Sequence, residues 1–445
     1  MERPSGGREV TGTLERDASA YYSASRELEE VSFGAIVDAE REPRLQWAAP
    51  DGLEVAGTGV AKRFQATGSD RFDELRADAD LTFEHLEYDG PTVARPRAFG
   101  GLSFHDGHEP AGPWTGFEAA SFVIPAVQVT RSDDGVWLTA TAGSKAEATE
   151  RLERARSRLE ELPAMRPSGN GPGVDGTERS TTPAEWTEQV ETALDRIERG
   201  ELTKVVLAQS LTATLDERVD VPATLERLRR TYPNCYRFSF AHETGGTFFG
   251  TPPERLVAKR GRTVETEALA GSAPRGDDPA ADDEFAETLR DSEKVGHEHG
   301  LVAEAIREQL DPLAESVSVS DRTVRRLATI QHLQTPITAT LERDCHVLEI
   351  VEALHPTPAV GGVPPSSAWE TIRSTESFDR GWYAAPIGWF DGNGDGEFAV
   401  GLRSAVTADR SVTLFAGNGI VADSDPADEW DEVQLKFRPI LDELQ

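Results

Sequence analysis

Lysine is scarce in this chain. Only six of its 46 basic residues are lysines, set against 79 acidic ones for a net charge of −33. No basic patch interrupts the acidic background, which excludes nucleic acid as a partner, because phosphate binding needs clustered cations. Asp and Glu are spread along the whole length with no acidic tail, so the charge reads as an adaptation to solvation in a salt-rich cytoplasm. Self-repulsion of this size is tolerable where salt screens it. Cysteine is almost missing too. Cys235 and Cys345 are neither clustered nor numerous enough for a disulfide framework or a zinc site, which fits a reducing cytoplasmic location. There is no run of eighteen apolar residues and no charged-then-apolar leader, so neither a membrane span nor a signal peptide is expected. Short-period repeats are absent, as are a Walker loop and a GxGxxG, so nucleotide binding is not supported.

What is present reads as a large core-forming chain of 445 residues. Residues 1–10 look loose, and residues 1–163 form a first part made mostly of short strands. LQWAAPDGLEVAGTGVA reads as strand, turn at Pro50-Asp51-Gly52, strand. SFVIPAVQVTRSDDGVWLTATA turns at Asp133-Asp134-Gly135. Helical pieces are expected near Asp70 to Ala79 and from Lys145 to Leu162. A Gly- and Pro-rich stretch at 164–182 reads as a flexible connector. The second part, 183–445, opens on a capping box at Thr182 and Glu185 with Pro183 in the first turn. Trp186, Val190, Leu194 and Ile197 then repeat at helical spacing. Asp282 to Leu310 reads as one long helix, and strands at Pro386 to Phe390 and Glu397 to Val406 flank DGNGDG, read as a hairpin turn rather than a calcium loop. A last helix starts near Pro426, with Asp425 as its N-cap. Strands and helices mix without regular βαβ alternation, which favours a large α+β domain over a doubly wound sheet.

Several residues could carry chemistry. Lys204, in GELTKVVLAQS, shares a strand face with Leu202, Val206 and Ala208. Such a lysine is either a snorkelling edge residue or one held in a cavity, where desolvation favours the neutral amine and makes it a usable base. Glu429 and Glu432 lie on one side of the last helix. They can complement the helix dipole, or serve a Mg²⁺ ion, which needs paired carboxylates. Glu298, in SEKVGHEH, lies at the edge of a buried stripe, so it is either paired or coordinating. His297 and His299 are two apart and diverge, which excludes a helical zinc pair. Arg403, read within an apolar strand on the face of Ala399, Gly401 and Ala405, has small neighbours that leave room for an acidic ligand. A structural ion pair is the alternative.

The order of these signals is more specific than any one of them. TKVVLAQS, FGTPPERLV, LAGSAPRG, SEKVGHEH, LQTPITATL, LHPTPAVGG, FDRGWYAAPIGW, DGEFAVGLRSA and AGNGIVADSDPADEWDEVQLK run through most of 200–436. As a set they resemble the chorismate-utilising enzymes, and within them the isochorismate synthases. The resemblance implies an α/β (α+β) fold of two β-sheets packed face to face with helices outside, the active site lying between the halves. It implies that Lys204 activates water for attack at C2 of chorismate, where ammonia-using relatives carry glutamine, and that Glu254 protonates the departing C4 hydroxyl. Glu298 and Glu432 match Mg²⁺ ligands, with Glu429 beside them directly or through water. Arg403, Tyr383 and the backbone at Gly419 match positions that hold the pyruvyl carboxylate, while Lys436, Gly271, Ser272 and His355 match pocket residues. The implied activity is an Mg²⁺-dependent isomerase feeding menaquinone, with chorismate as the small-molecule partner, no glutaminase subunit, and a monomer or weak homodimer as the assembly. A salicylate synthase, which goes on to expel pyruvate, would use the same base and acid. Anthranilate or aminodeoxychorismate synthase would need a glutaminase and is disfavoured by Lys204.

Overall fold

The computed structural model describes residues 20–29, 33, 36, 44–50, 52–161, 169–276, 278–327 and 330–445. The loose start expected at 1–10 lies outside them, as does part of the connector. Alternating strands gather into two large sheets, of thirteen and ten strands among the described residues. The larger runs from Val174–Arg179 through Lys204–Leu215 and Ser411–Ile420 to Tyr21–Leu28 and Leu86–Asp89. The smaller carries Ile330–Leu341, Thr263–Pro274, Arg255–Arg260 and Gly396–Val400, and ends on Arg97–Leu102, Ala120–Ile124 and Lys62–Ala66. Both sheets therefore draw strands from both parts of the chain. One core takes Trp47, Phe238 and Phe248 from the larger sheet and Phe99, Phe122 and Phe398 from the smaller. A second, smaller core gathers Tyr22, Leu138 and Leu152 beneath the helix Lys145–Glu160.

Helix starts fall where capping chemistry puts them. Thr182 and Glu185 form the reciprocal capping box of helix Pro183–Glu198, and Asp425 accepts from Ala427 and Asp428 backbone N–H groups at the start of Pro426–Leu441. The hairpins through Asp133-Asp134-Gly135 and Asp391 to Gly396 are present, the second closed by Gly394 N–H donating to the Asp391 carbonyl at 3.0 Å.

Three elements differ from expectation. The helix expected over 282–310 is two, Pro279–Asp291 and Glu293–Leu310, because Ser292 is extended and its hydroxyl caps the second by accepting from Val295 N–H. The connector contains a strand: Val174–Arg179 pairs with Lys204–Leu215 at the sheet edge, its Arg179 guanidinium lying over Trp430 and Phe437. The strand expected over 397–406 breaks into Gly396–Val400 and Ser404–Ala408, because Arg403 between them has a φ of +46°.

Candidate active site

The two sheets and the helices Glu293–Leu310 and Pro426–Leu441 enclose a cavity of about 300 Å³. Its floor is the strand Lys204–Leu215, whose Val206 pairs with Gly419 on Ser411–Ile420. Lys204 is 2% exposed, and its Nζ donates to Glu298 Oε1 at 2.8 Å, across from the floor on the helix Glu293–Leu310. Gly419 makes this possible: a Cβ there would lie 2.6 Å from Lys204 Cε and 3.3 Å from Glu298 Oε1. The lysine is thus neither a strand-edge residue nor free, and its partner comes from a helix far along the chain.

Glu254 enters from the opposite sheet. Pro252 and Pro253 fix an extended approach to the strand Arg255–Arg260, and Val400 N–H holds the Glu254 carbonyl at 3.1 Å. Burial pushes its carboxyl up to about 8, helped by the charge of Glu267 and opposed by Lys204 and Arg325. An acid and an amine therefore face one cavity.

The acidic helix Pro426–Leu441 brings Glu429 and Glu432 to the same space. Glu429 accepts from Asn418 Nδ2 at 3.0 Å and Ser424 Oγ at 2.7 Å; burial and the Glu432 charge raise its pKa. Glu432 pairs with Lys436 at 2.9 Å, and Lys436 Nζ also donates to the Gly417 carbonyl at 3.1 Å and to Asn418 Oδ1. Glu298, Glu429 and Glu432 thus line one cavity with oxygen donors, which suits a hard cation such as Mg²⁺. Glu298 and Glu432 are held by lysines, and no group of three acidic, His or Cys side chains stands close enough to chelate among the described residues.

Arg403 also lines the cavity, from the kink between strands rather than from a strand face. Burial lowers its pKa, Tyr232 lies beneath it at 5.6 Å, and its Nη1 is buried without a hydrogen-bond partner. A buried donor in that condition is suited to a bound anion. Tyr383 stacks on Phe415 with centroids 5.3 Å apart. Gly271, at φ +77°, brings Ser272 to the wall, where its hydroxyl meets His332 Nδ1 at 3.0 Å.

Of the twelve site residues expected from sequence, eleven line this cavity; His355 does not. Its Nε2 lies 3.0 Å from the Phe104 carbonyl and its ring packs edge-on against Phe104, which ties it to the first part of the chain instead. Sequence reasoning missed His332, Arg380 and Asn418. His332 is kept neutral, its pKa pushed down to about 3 by burial and by Arg403 and Lys436. Arg380, buried against Glu376, ties the Val206 and Val360 carbonyls together at 2.7 and 2.9 Å. A lone arginine in FDRGWY carried no signal of this. His299, one of the pair that resembles a zinc motif, instead bonds Thr335 Oγ1 at 2.8 Å.

The family model described as chorismate binding enzyme matches residues 9–445. The chain is 36% identical to the salicylate biosynthesis isochorismate synthase of Pseudomonas aeruginosa, over 98% of this chain and 94% of that protein. It is 33% identical to the isochorismate synthase MenF of Bacillus subtilis, over 90% of this chain and 88% of the relative. The solved structure of MenF, the menaquinone-specific isochorismate synthase from Escherichia coli, superposes with a TM-score of 0.80 at 27% identity, covering 96% of this chain and 94% of that one. Anthranilate synthase component I from Streptococcus pneumoniae shares the fold at a TM-score of 0.75 and 21% identity, over 88% and 93% of the two chains.

Proposed function

The chain belongs to the chorismate-binding enzyme family, and from that premise we propose that it converts chorismate to isochorismate. One observation supports this most: a lysine amine and a carboxyl pushed up to about 8 face a single enclosed cavity, beside an arginine with an unpartnered donor. In this reading the Lys204 amine takes a proton from water while the water oxygen bonds to C2. The ring double bonds shift, the C4–O bond breaks, and the Glu254 acid gives its proton to the departing hydroxyl, which leaves as water. One water enters and one leaves, so the reaction is an isomerisation. Arg403 and Lys436 offer the cationic charge that a second carboxylate requires, and Tyr383 and Gly419 shape the space around it.

Mg²⁺ would be held by Glu298 and Glu432, with Glu429 beside them. When bound, the ion would neutralise the ring carboxylate and reduce its repulsion of an incoming nucleophile. The protein's own contribution is to bring three carboxylates to one cavity, with Lys204 held against Glu298 on the floor and Glu254 entering from the opposite sheet. We place the product on the route to menaquinone, on the likeness to the two MenF proteins. The test is product analysis by chromatography after incubating purified protein with chorismate, with Mg²⁺ or with chelator, and with or without ammonium. Isochorismate as the product, lost on chelation and unaffected by ammonium, is expected. Salicylate with pyruvate, or an aminated product, would replace this reading.

A further inference from the structure

Glu254 has charged groups facing it from several elements. Lys204 comes from the cavity floor, Arg325 from the strand Thr323–Arg326 and Glu267 from the strand Thr263–Pro274, while Arg403 and His332 stand along the same cavity wall. Glu298, Glu429 and Glu432 line that cavity too, on the side of the floor and the last helix. Cations near a carboxyl favour its ionised form. Burial favours the protonated form of Glu254; among the charges acting on it, Lys204 and Arg325 favour loss of the proton and Glu267 favours its retention.

Glu267 is buried behind the cavity, does not line it, and so cannot reach a substrate there. Its Oε1 accepts from the backbone N–H of Arg255 at 3.1 Å, the peptide directly after Glu254. Arg325 Nη1 donates to both of its oxygens, at 3.0 and 3.3 Å, and Arg325 Nη2 donates to the Asn234 carbonyl at 3.0 Å. Gln334 Nε2 adds a further donor to Oε2. This network places a negative charge beside Glu254 and anchors the nearest guanidinium to that charge instead of to the acid.

We infer that Glu267 is a positioning residue that keeps Glu254 in its acid form, by drawing the charge of Arg325 onto itself and fixing the peptide that follows Glu254. The inference rests on the reading of Glu254 as the proton donor. It assigns to Glu267 the choice of the pH range over which that donor is loaded.

The test compares pH profiles of kcat/KM for the parent, Glu267→Gln, Arg325→Gln and the double variant. The parent should lose activity through about pH 8. Glu267→Gln should move this alkaline limb to lower pH by about one unit or more. Arg325→Gln, which leaves Glu267 uncompensated, should move it upward, and the double variant should return it toward the parent position. A merely structural network would reduce activity in both single variants and move neither limb. Independently of turnover, infrared titration of the Glu254 carboxyl, identified by subtraction of Glu254→Gln, should show the same displacement in Glu267→Gln. An unchanged midpoint there overturns the inference, even in a protein that makes isochorismate. A displaced midpoint sustains the coupling, even if the product proves to be another.

Discussion

Lys204 and Glu254 are both buried, and each has charged neighbours. The amine lies 2.8 Å from Glu298, and the carboxyl faces Lys204 and Arg325. Replacing Lys204 with Ala removes the proton acceptor and the ion-pair partner of Glu298. We expect turnover to fall by roughly two to four orders of magnitude, as for other general bases, with chorismate binding retained through Arg403 and Lys436. Calorimetric titration of the inactive variant with chorismate checks this; an active Lys204→Ala enzyme would reduce the lysine to a partner of Glu298. The Glu254 prediction concerns pH. Its carboxyl is raised to about 8, so the proton-donating form is present below that pH and lost above it. Activity should therefore fall as pH rises through about 8, and a flat profile to pH 10 would remove Glu254 from the role. At this scale sequence gave a partial view. Lys204 is conspicuous because lysines are so few and its neighbours so apolar. Glu254, between Pro253 and Arg255, has no local pattern and was reached only through resemblance to a family. The Lys204–Glu298 pair could not be read at all, since strand and helix periodicity say nothing of which face meets which.

At the scale of elements, the site depends on close approach between the floor strands and the helix Glu293–Leu310. Gly419→Ala tests this. The added methyl would contact Lys204 Cε at 2.6 Å, displacing the amine from Glu298 while leaving the ladder between Val206 and Gly419 in place. Activity should drop at least tenfold with thermal stability close to the parent; an unaffected rate would mean that Lys204 has room to spare. Cap residues made helix starts legible, because Thr182, Glu185 and Asp425 bond locally in a way the sequence declares. Breaks inside elements were less so. Ser292 divides a helix whose apolar spacing runs on, and Arg403 takes a positive φ in a segment that alternates like a strand. Arg403 lines the cavity and Ser292 starts the helix that carries Glu298, so in both places local preference yields to the placement of a functional group. The edge strand Val174–Arg179 was hidden by its composition, because its order comes from pairing with Lys204–Leu215 rather than from apolar residues of its own.

For the whole molecule, a charge of −33 must be accommodated on a surface with few lysines. Arginines take up part of it in surface pairs such as Arg307 with Glu304 and Asp311, but pairs of this kind are individually weak. The remaining repulsion is long-ranged and falls as the screening length contracts to ~3 Å at 1 M salt. The melting temperature should therefore rise between dilute buffer and molar KCl, and an unchanged value would mean that the acidic surface carries no net destabilisation. The Lys204–Glu298 pair should respond less, since the lysine is buried. Both parts of the chain contribute strands to both sheets and residues to one core, although every residue lining the cavity lies within 204–436. We propose that this fold directs a water molecule to C2 of chorismate under the control of Lys204. Running the reaction in heavy-oxygen water and weighing the product by mass spectrometry tests this. Isochorismate carrying one solvent oxygen, at C2, is expected, with none formed by Lys204→Ala. Isochorismate without solvent oxygen, or labelled product still formed at the parent rate by Lys204→Ala, would contradict it.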